Sequence, residues 1–215
     1  MYELGDVLPT DGPTQVPTGT NLLIVGEPMT GKRTLAMEML ADDDHNDGVV
    51  IITTETTASD AVEEYCDIAG NGRGRLRVIG ASGEEAGNTA GSGIETVSSP
   101  SDLTGIGISL DKSIEDLEGR VDGLRLGFDS LSTLLAFVDV ESVYKFVHVL
   151  TTRMSNLGSC TVCTLNTATV ADERAIGMLK NPFDCVIELR ESGTDREARI
   201  IGLDDIDTDW RPIRR

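Results

Sequence analysis

The apolar run NLLIV (residues 21–25) leads directly into GEPMTGKRT (26–34), and TLAMEMLA (34–41) carries on with helical character. Few folds accept that order of strand, glycine loop, lysine and helix. The loop's backbone N–H groups converge only where a buried strand hands over to a helix N-terminus, which adds roughly half a positive charge at the same point. The spacing is G-x-x-x-x-G-K, that of a phosphate-binding loop. Gly26, Glu27, Pro28, Met29, Thr30 and Gly31 form the expected cradle, and Lys32 is placed to reach terminal phosphates. Arg33 departs from the pattern, because it stands where the motif expects a Ser or Thr to hold magnesium. Three readings of it are open: Thr34 shifts to supply the hydroxyl, Arg33 itself neutralises phosphate, or Arg33 points away.

Beyond the loop, short apolar runs alternate with helical stretches, which predicts an α/β fold with a mostly parallel central sheet flanked by helices. DGVVIITTE is a second strand ending at Glu55, ASDAVEEYCDIAG a helix stopped by Gly70, and GRLRVIG a third strand. ISLDKSIEDLEG puts Leu110, Ile114 and Leu117 on one helical face. DGLRLGFDSLSTLL is a core strand that delivers Asp129. VESVYKFVHVLTTRMSNLG is a long helix with Val143, Val147, Leu150 and Met154 in one stripe and Gly158 as its stop. SCTVCTLN is the next strand, and FDCVIELRESGTDREARIIGL reads as a C-terminal β-hairpin at the sheet edge. The stretch ASGEEAGNTAGSGIETVSSP has no period, so residues 81–108 are expected to be a flexible loop or insertion. With 215 residues the chain suffices for one sizeable core, and residues 1–215 are read as a single domain.

Charge narrows the function classes. Acidic residues number 37 against 18 basic ones, a net charge of -19. That balance argues against indiscriminate binding to nucleic acid or anionic membrane, both of which need a positive surface; Arg73, Arg75 and Arg77 are a local exception. No apolar run approaches the ~20 residues of a membrane span, and the N-terminus lacks a basic-then-apolar leader, so a cytoplasmic location is expected. Cys160 and Cys163 form a CxxC, but on a strand a separation of three puts them on opposite faces, which favours plain burial over metal or redox work.

The rest of a phosphate site would come from other strand ends. Asp129 is the candidate to hold magnesium through water, although Asp129 or Ser130 could equally cap the next helix. Glu55 is the candidate to activate water, against the alternative of a solvated strand-end carboxylate. Asn166, beside Thr167, could sense the terminal phosphate or simply shape a turn.

In order, VPTGTNLLIVGEPMTGKRT, VVIITTETTASDAVEEY, LRLGFDSLSTLL, GSCTVCTLN and FDCVIELRE resemble the KaiC-like branch of the RecA ATPase superfamily. More narrowly, GEPMTGKR, SSPSDLTGIGI and DSLSTLL are similar to the HTR-like proteins of haloarchaea, a likeness that agrees with the acidic, lysine-poor, salt-adapted composition. The resemblance implies a RecA-like core, ATP as the nucleotide, and Gly26, Gly31, Lys32 and Asp129 as its phosphate and magnesium residues. Such ATPases carry Thr where Arg33 stands and paired glutamates where this chain has Glu55 and Thr56. They also carry a Lys-x-Arg near the last strand, where this chain reads Arg199 and then Ile201. The expectation is an ATP-binding, nucleotide-responsive regulatory or signalling protein with slow or absent hydrolysis, read by an unidentified protein partner. A low-rate ATPase and a recombinase-like DNA-binding module are the alternatives. Relatives assemble as rings or filaments, so a homo-oligomer is open, though the missing trans-acting arginine removes one reason for it.

Overall fold

The computed structural model describes residues 1–4, 7–10, 14–41, 46–70, 75–83, 93–170, 173–193, 195–203 and 209–213. Eleven strands and six α-helices are assigned among them, in the order β1 (Tyr2–Glu3), β2 (Gln15–Val16), β3 (Asn21–Gly26), α1 (Lys32–Leu40), β4 (Asp47–Thr53), α2 (Ala58–Ala69), β5 (Leu76–Gly80), β6 (Ile94–Thr96), α3 (Leu103–Leu117), β7 (Gly123–Asp129), α4 (Leu131–Leu135), α5 (Val140–Asn156), β8 (Cys160–Asn166), α6 (Glu173–Lys180), β9 (Cys185–Ser192), β10 (Asp195–Ile201) and β11 (Arg211–Ile213). The main sheet runs β11-β10-β9-β3-β8-β7-β4-β5-β6. Every pairing from β9 to β6 is parallel, and β9, β10 and β11 pair antiparallel. The expected C-terminal hairpin is β9–β10, with Gly193 at φ 65° in its turn and β11 added outside it.

Alternation along the buried strands sorts the core into two layers. Leu22, Ile24, Val49, Ile51 and Val162 pack with α1 and α2 on one face, and Leu23, Val25, Val50, Ile52, Phe128 and Leu165 with α3, α4 and α5 on the other. Cys160 lies in the first layer and Cys163 in the second, both buried. The stripe Val143, Val147, Leu150 and Met154 is buried along α5. That helix ends as its glycine requires: Gly158, at φ 68°, donates its N–H to the Ser155 carbonyl (2.9 Å) and Ser159 donates to the Met154 carbonyl (3.0 Å). This is the two-bond Schellman closure.

One expectation needs correction. Residues 84–92 lie outside the described residues, but the remainder of 81–108 is not a loop throughout. Ile94–Thr96 adds β6 to the sheet edge in parallel with β5, and α3 begins at Leu103, capped by the Asp102 carboxylate on the Gly105 N–H (2.8 Å). A three-residue strand is too short to show a period. Gly105 and Gly107 hide the first turns of α3, since glycine is a poor helix former away from its context.

At the opposite end of the strands from the glycine loop, Arg125 of β7 is buried at 1% exposure. Its guanidinium bonds Asp47 (3.0 Å) and the carbonyls of Glu3, Met39 and Ala41. A cation at the C-terminus of α1 complements the helix dipole and fastens the N-terminal strand to the sheet.

Candidate functional site

Parallel register gathers the chemistry at one edge. Gly26 pairs with Asn166 and Thr53 with Asp129, while Phe128 pairs with Cys163, so β3 and β8 run two residues beyond β4 and β7 and all four end at the same edge of the sheet, where ligand sites of open α/β sheets form. Gly26 must lack a side chain: a Cβ there would sit 2.8 Å from the Leu189 carbonyl and from the Thr30 hydroxyl. Gly31 adopts φ 82° and Met29, 92% exposed at the tip, adopts φ 65°. The buried Thr30 hydroxyl donates to the Glu27 carbonyl (2.9 Å) and braces the loop from inside. Glu27 and Pro28 are exposed. Unlike α2, α3, α4 and α5, helix α1 carries no side-chain cap, and it has no acidic residue in its first turn. Its leading N–H groups therefore face the loop without a side-chain acceptor.

Lys32 folds back on this loop, its ammonium donating to the Glu27 carbonyl (2.5 Å) and the Thr30 hydroxyl (3.4 Å). Burial lowers its pKa, against the opposing pull of the Glu55 and Asp129 carboxylates. Both acidic candidates thus act on the lysine that the motif supplies.

Arg33 does not point away. Its Nε donates to Glu64 (2.6 Å) and its Nη1 to Asp129 Oδ2 (2.5 Å), while Nη2 is buried with no hydrogen-bond acceptor among the described residues. Burial alone would lower the arginine's pKa, but Asp129 and Glu64 outweigh it and raise it. Asp129 is 5% exposed, and its other oxygen accepts from the Thr164 hydroxyl (2.6 Å). It does not cap α4, because Ser130 does so, accepting from the Ser132 N–H. The Asp129–Ser130 peptide is cis. Thr54 clamps this strand end: its N–H donates to the Asp129 carbonyl (2.7 Å) and its hydroxyl exchanges bonds with the Ser130 backbone.

Glu55 is exposed and accepts weakly from the Thr133 hydroxyl (3.4 Å). Asn166 spends its side-chain carbonyl on the Ala168 N–H (3.1 Å), shaping the 3-10 turn Thr167–Thr169, and its own N–H is held by Ser132. Turn chemistry therefore accounts for part of that side chain. Arg199 is bound to Glu188 together with Lys180 and stacks on Trp210, with Arg190 against the same ring at 4.1 Å. In the basic cluster, Arg77 is paired with Asp116 (2.8 Å), and Arg73 lies outside the described residues.

Four contributors are absent from the sequence reading. Glu64, Thr164 and Thr54 complete the Arg33–Asp129 cluster, and Arg196 of β10 lays its guanidinium against Gly31, where any Cβ would collide with it. Only the glycine at 31 carried a signal for the last of these.

The donor set does not fit magnesium. The hydroxyl expected after Lys32 is a guanidinium, that guanidinium occupies Asp129, and Thr34 is exposed. No group of three His, Cys, Asp or Glu side chains among the described residues is placed to hold a metal ion. The loop's two glycines are required by close packing against Leu189, Thr30 and Arg196, and the uncapped N–H groups at the start of α1 are donors of the kind that a phosphate group accepts from.

The fold is that of a RecA-like, KaiC-like α/β core. It is similar to the structure of a KaiC-like protein from the hyperthermophilic archaeon Pyrococcus horikoshii OT3, with a TM-score of 0.67 over 98% of this chain and 93% of that one at 15% identity. No curated protein matches the sequence. A family model described as a family of unknown function, DUF7504, matches residues 19–189, and the chain belongs to that family. No helix among the described residues is long and apolar enough to cross a membrane.

Proposed function

We propose that this protein binds a nucleotide, ATP, in the loop Gly26–Thr34 and hydrolyses it slowly or not at all, acting as a nucleotide-responsive regulatory protein. The observation that carries this reading is the Arg33–Asp129 ion pair at 2.5 Å. Phosphoryl transfer in loops of this type draws on a divalent cation to spread the developing charge, and the carboxylate suited to that ion here holds a guanidinium. Arg199, nearest to the place of the family's arginine, is likewise held by Glu188. The cradle and Lys32 remain, which supports holding a nucleotide more than turning it over. The acidic surface and the pairing of Arg77 with Asp116 weigh against a DNA-binding role. A cytoplasmic setting and a protein partner belong to the same reading.

The test is ATP binding and ATP turnover measured on one preparation at high KCl, with Lys32→Ala alongside. Binding that the substitution abolishes, with turnover at background, supports the proposal. The exposed Glu55 carboxylate just past the end of β4 favours a second reading, a low-rate ATPase. Turnover that falls in Glu55→Gln would establish it and displace the first.

A further inference from the structure

Arg33 invites a stronger statement than the loss of a metal ligand. We infer that its guanidinium is the site's resident cation, so that the nucleotide binds in its metal-free form. The inference rests on the nucleotide-binding reading above and adds the state in which the ligand is bound.

The reasoning begins with Asp129. A buried carboxylate at the end of β7 would repel the phosphates of a nucleotide in the adjoining loop unless a cation stood between them. In this chain the cation is covalent. Arg33 follows Lys32 in the first turn of α1, and Glu64 from α2 and Asp129 from β7 hold two of its three nitrogens. Anchored at both points, the side chain has already lost its rotamer freedom, so binding does not have to order it. Arginine stays charged at any working pH, and a guanidinium N–H donates a strong charge-assisted bond to a phosphate oxygen.

The third nitrogen supplies an independent observation. Nη2 of Arg33 is buried with no acceptor among the described residues, an unsatisfied charged donor of a kind that native interiors rarely keep. A phosphate oxygen is an acceptor of the kind this charged donor lacks. Magnesium opposes this binding twice. It complexes free nucleotide in solution, and it meets a guanidinium at the place it would take.

Titration of ATP by calorimetry at high KCl, in EDTA and then in excess magnesium, tests the inference on the intact protein. Affinity in EDTA equal to or tighter than in magnesium supports it, and affinity that magnesium strengthens overturns it. Arg33→Thr restores the hydroxyl of the motif. It should bind about tenfold or more weakly in EDTA, as expected for losing a charge-assisted bond, and recover when magnesium is added. An Arg33→Thr protein that binds as well as the parent in EDTA overturns the inference; if this variant fails to fold, the comparison on the parent protein decides alone. Absence of ATP binding under both conditions removes the nucleotide-binding reading itself, whereas binding that requires magnesium removes only this inference.

Discussion

Replacing Arg33 by Ala should destabilise the protein through Asp129. The two side chains are 20% and 7% exposed, so the pair is mostly withdrawn from solvent. Breaking a fully buried pair from one side costs about 3–5 kcal/mol, because the remaining charge keeps its desolvation penalty without its partner. Partial exposure and the Thr164 bond that survives reduce this to about 2–4 kcal/mol. Asp129→Asn removes the charge but keeps the shape and leaves Arg33 paired with the more exposed Glu64, so about 1–2 kcal/mol is expected. Because the two side chains are paired, the double variant should cost about 1–3 kcal/mol less than the sum of the single ones. Urea unfolding of the four proteins at one fixed KCl concentration measures the cycle, with Arg33→Met as a control for the packing of the arginine stem. Additive effects, or an Arg33→Ala cost below about 0.5 kcal/mol, would mean that Asp129 is not committed to the arginine and would refute the account of the metal position.

Gly31→Ala should weaken both stability and ATP binding: the φ of 82° costs an L-residue about 1–2 kcal/mol, and the added methyl collides with the Arg196 guanidinium. Adding Arg196→Ala should relieve the collision but not the backbone cost, which thermal unfolding of the two variants resolves. Native protein treated with iodoacetamide should react first at Cys66, since burial pushes the Cys160 and Cys185 thiols up to about 12 and that of Cys163 higher still; peptide mass spectrometry reads the order. Burial raises the pKa of Glu188, but the bonds from Lys180 and Arg199 outweigh it and leave it below the ordinary 4.5. A depressed folded pKa gives stability that is present above the unfolded value and lost as pH falls through the folded one. Acid unfolding of Glu188→Gln should therefore show a shallower fall than the parent below about pH 4.5.

The elements that the sequence announces are those with a long period or a strong punctuator. The stripe of α5 with its closing Gly158, the buried run into Gly26 and the alternating hairpin arms all have a local cause that a window of residues contains. β6 and the first turns of α3 do not: Ile94 and Val97 are ordinary apolar residues in a polar stretch, and only the edge of β5 makes the first part of a strand. Arg125 is hidden for a related reason. An arginine in an apolar run reads as a half-exposed position until Asp47 and three carbonyls from distant segments surround it.

The candidate site divides along the same line. Loop, lysine and strand-end carboxylates can be read because motif spacing and parallel register are local or periodic constraints. Which residue caps α4 could not be read, since Asp and Ser serve an N-cap equally well. Only the chain's path shows that Ser130 takes that task and leaves Asp129 for Arg33. Arg33 itself is legible as a departure but not in its consequence. Thr34 as substitute ligand, neutralisation of phosphate and a side chain turned outward all suit the same nine residues. What separates them is Glu64, thirty-one positions away on another helix, and no pattern within either segment links the two. A guanidinium anchored on Glu64 and Asp129 cannot be turned outward, and with Asp129 so occupied a hydroxyl from the exposed Thr34 would lack the carboxylate partner that a magnesium site needs. Of the three readings, the outward side chain is the one both anchors contradict, and neutralisation of phosphate by Arg33 is the one that ATP titration in EDTA tests.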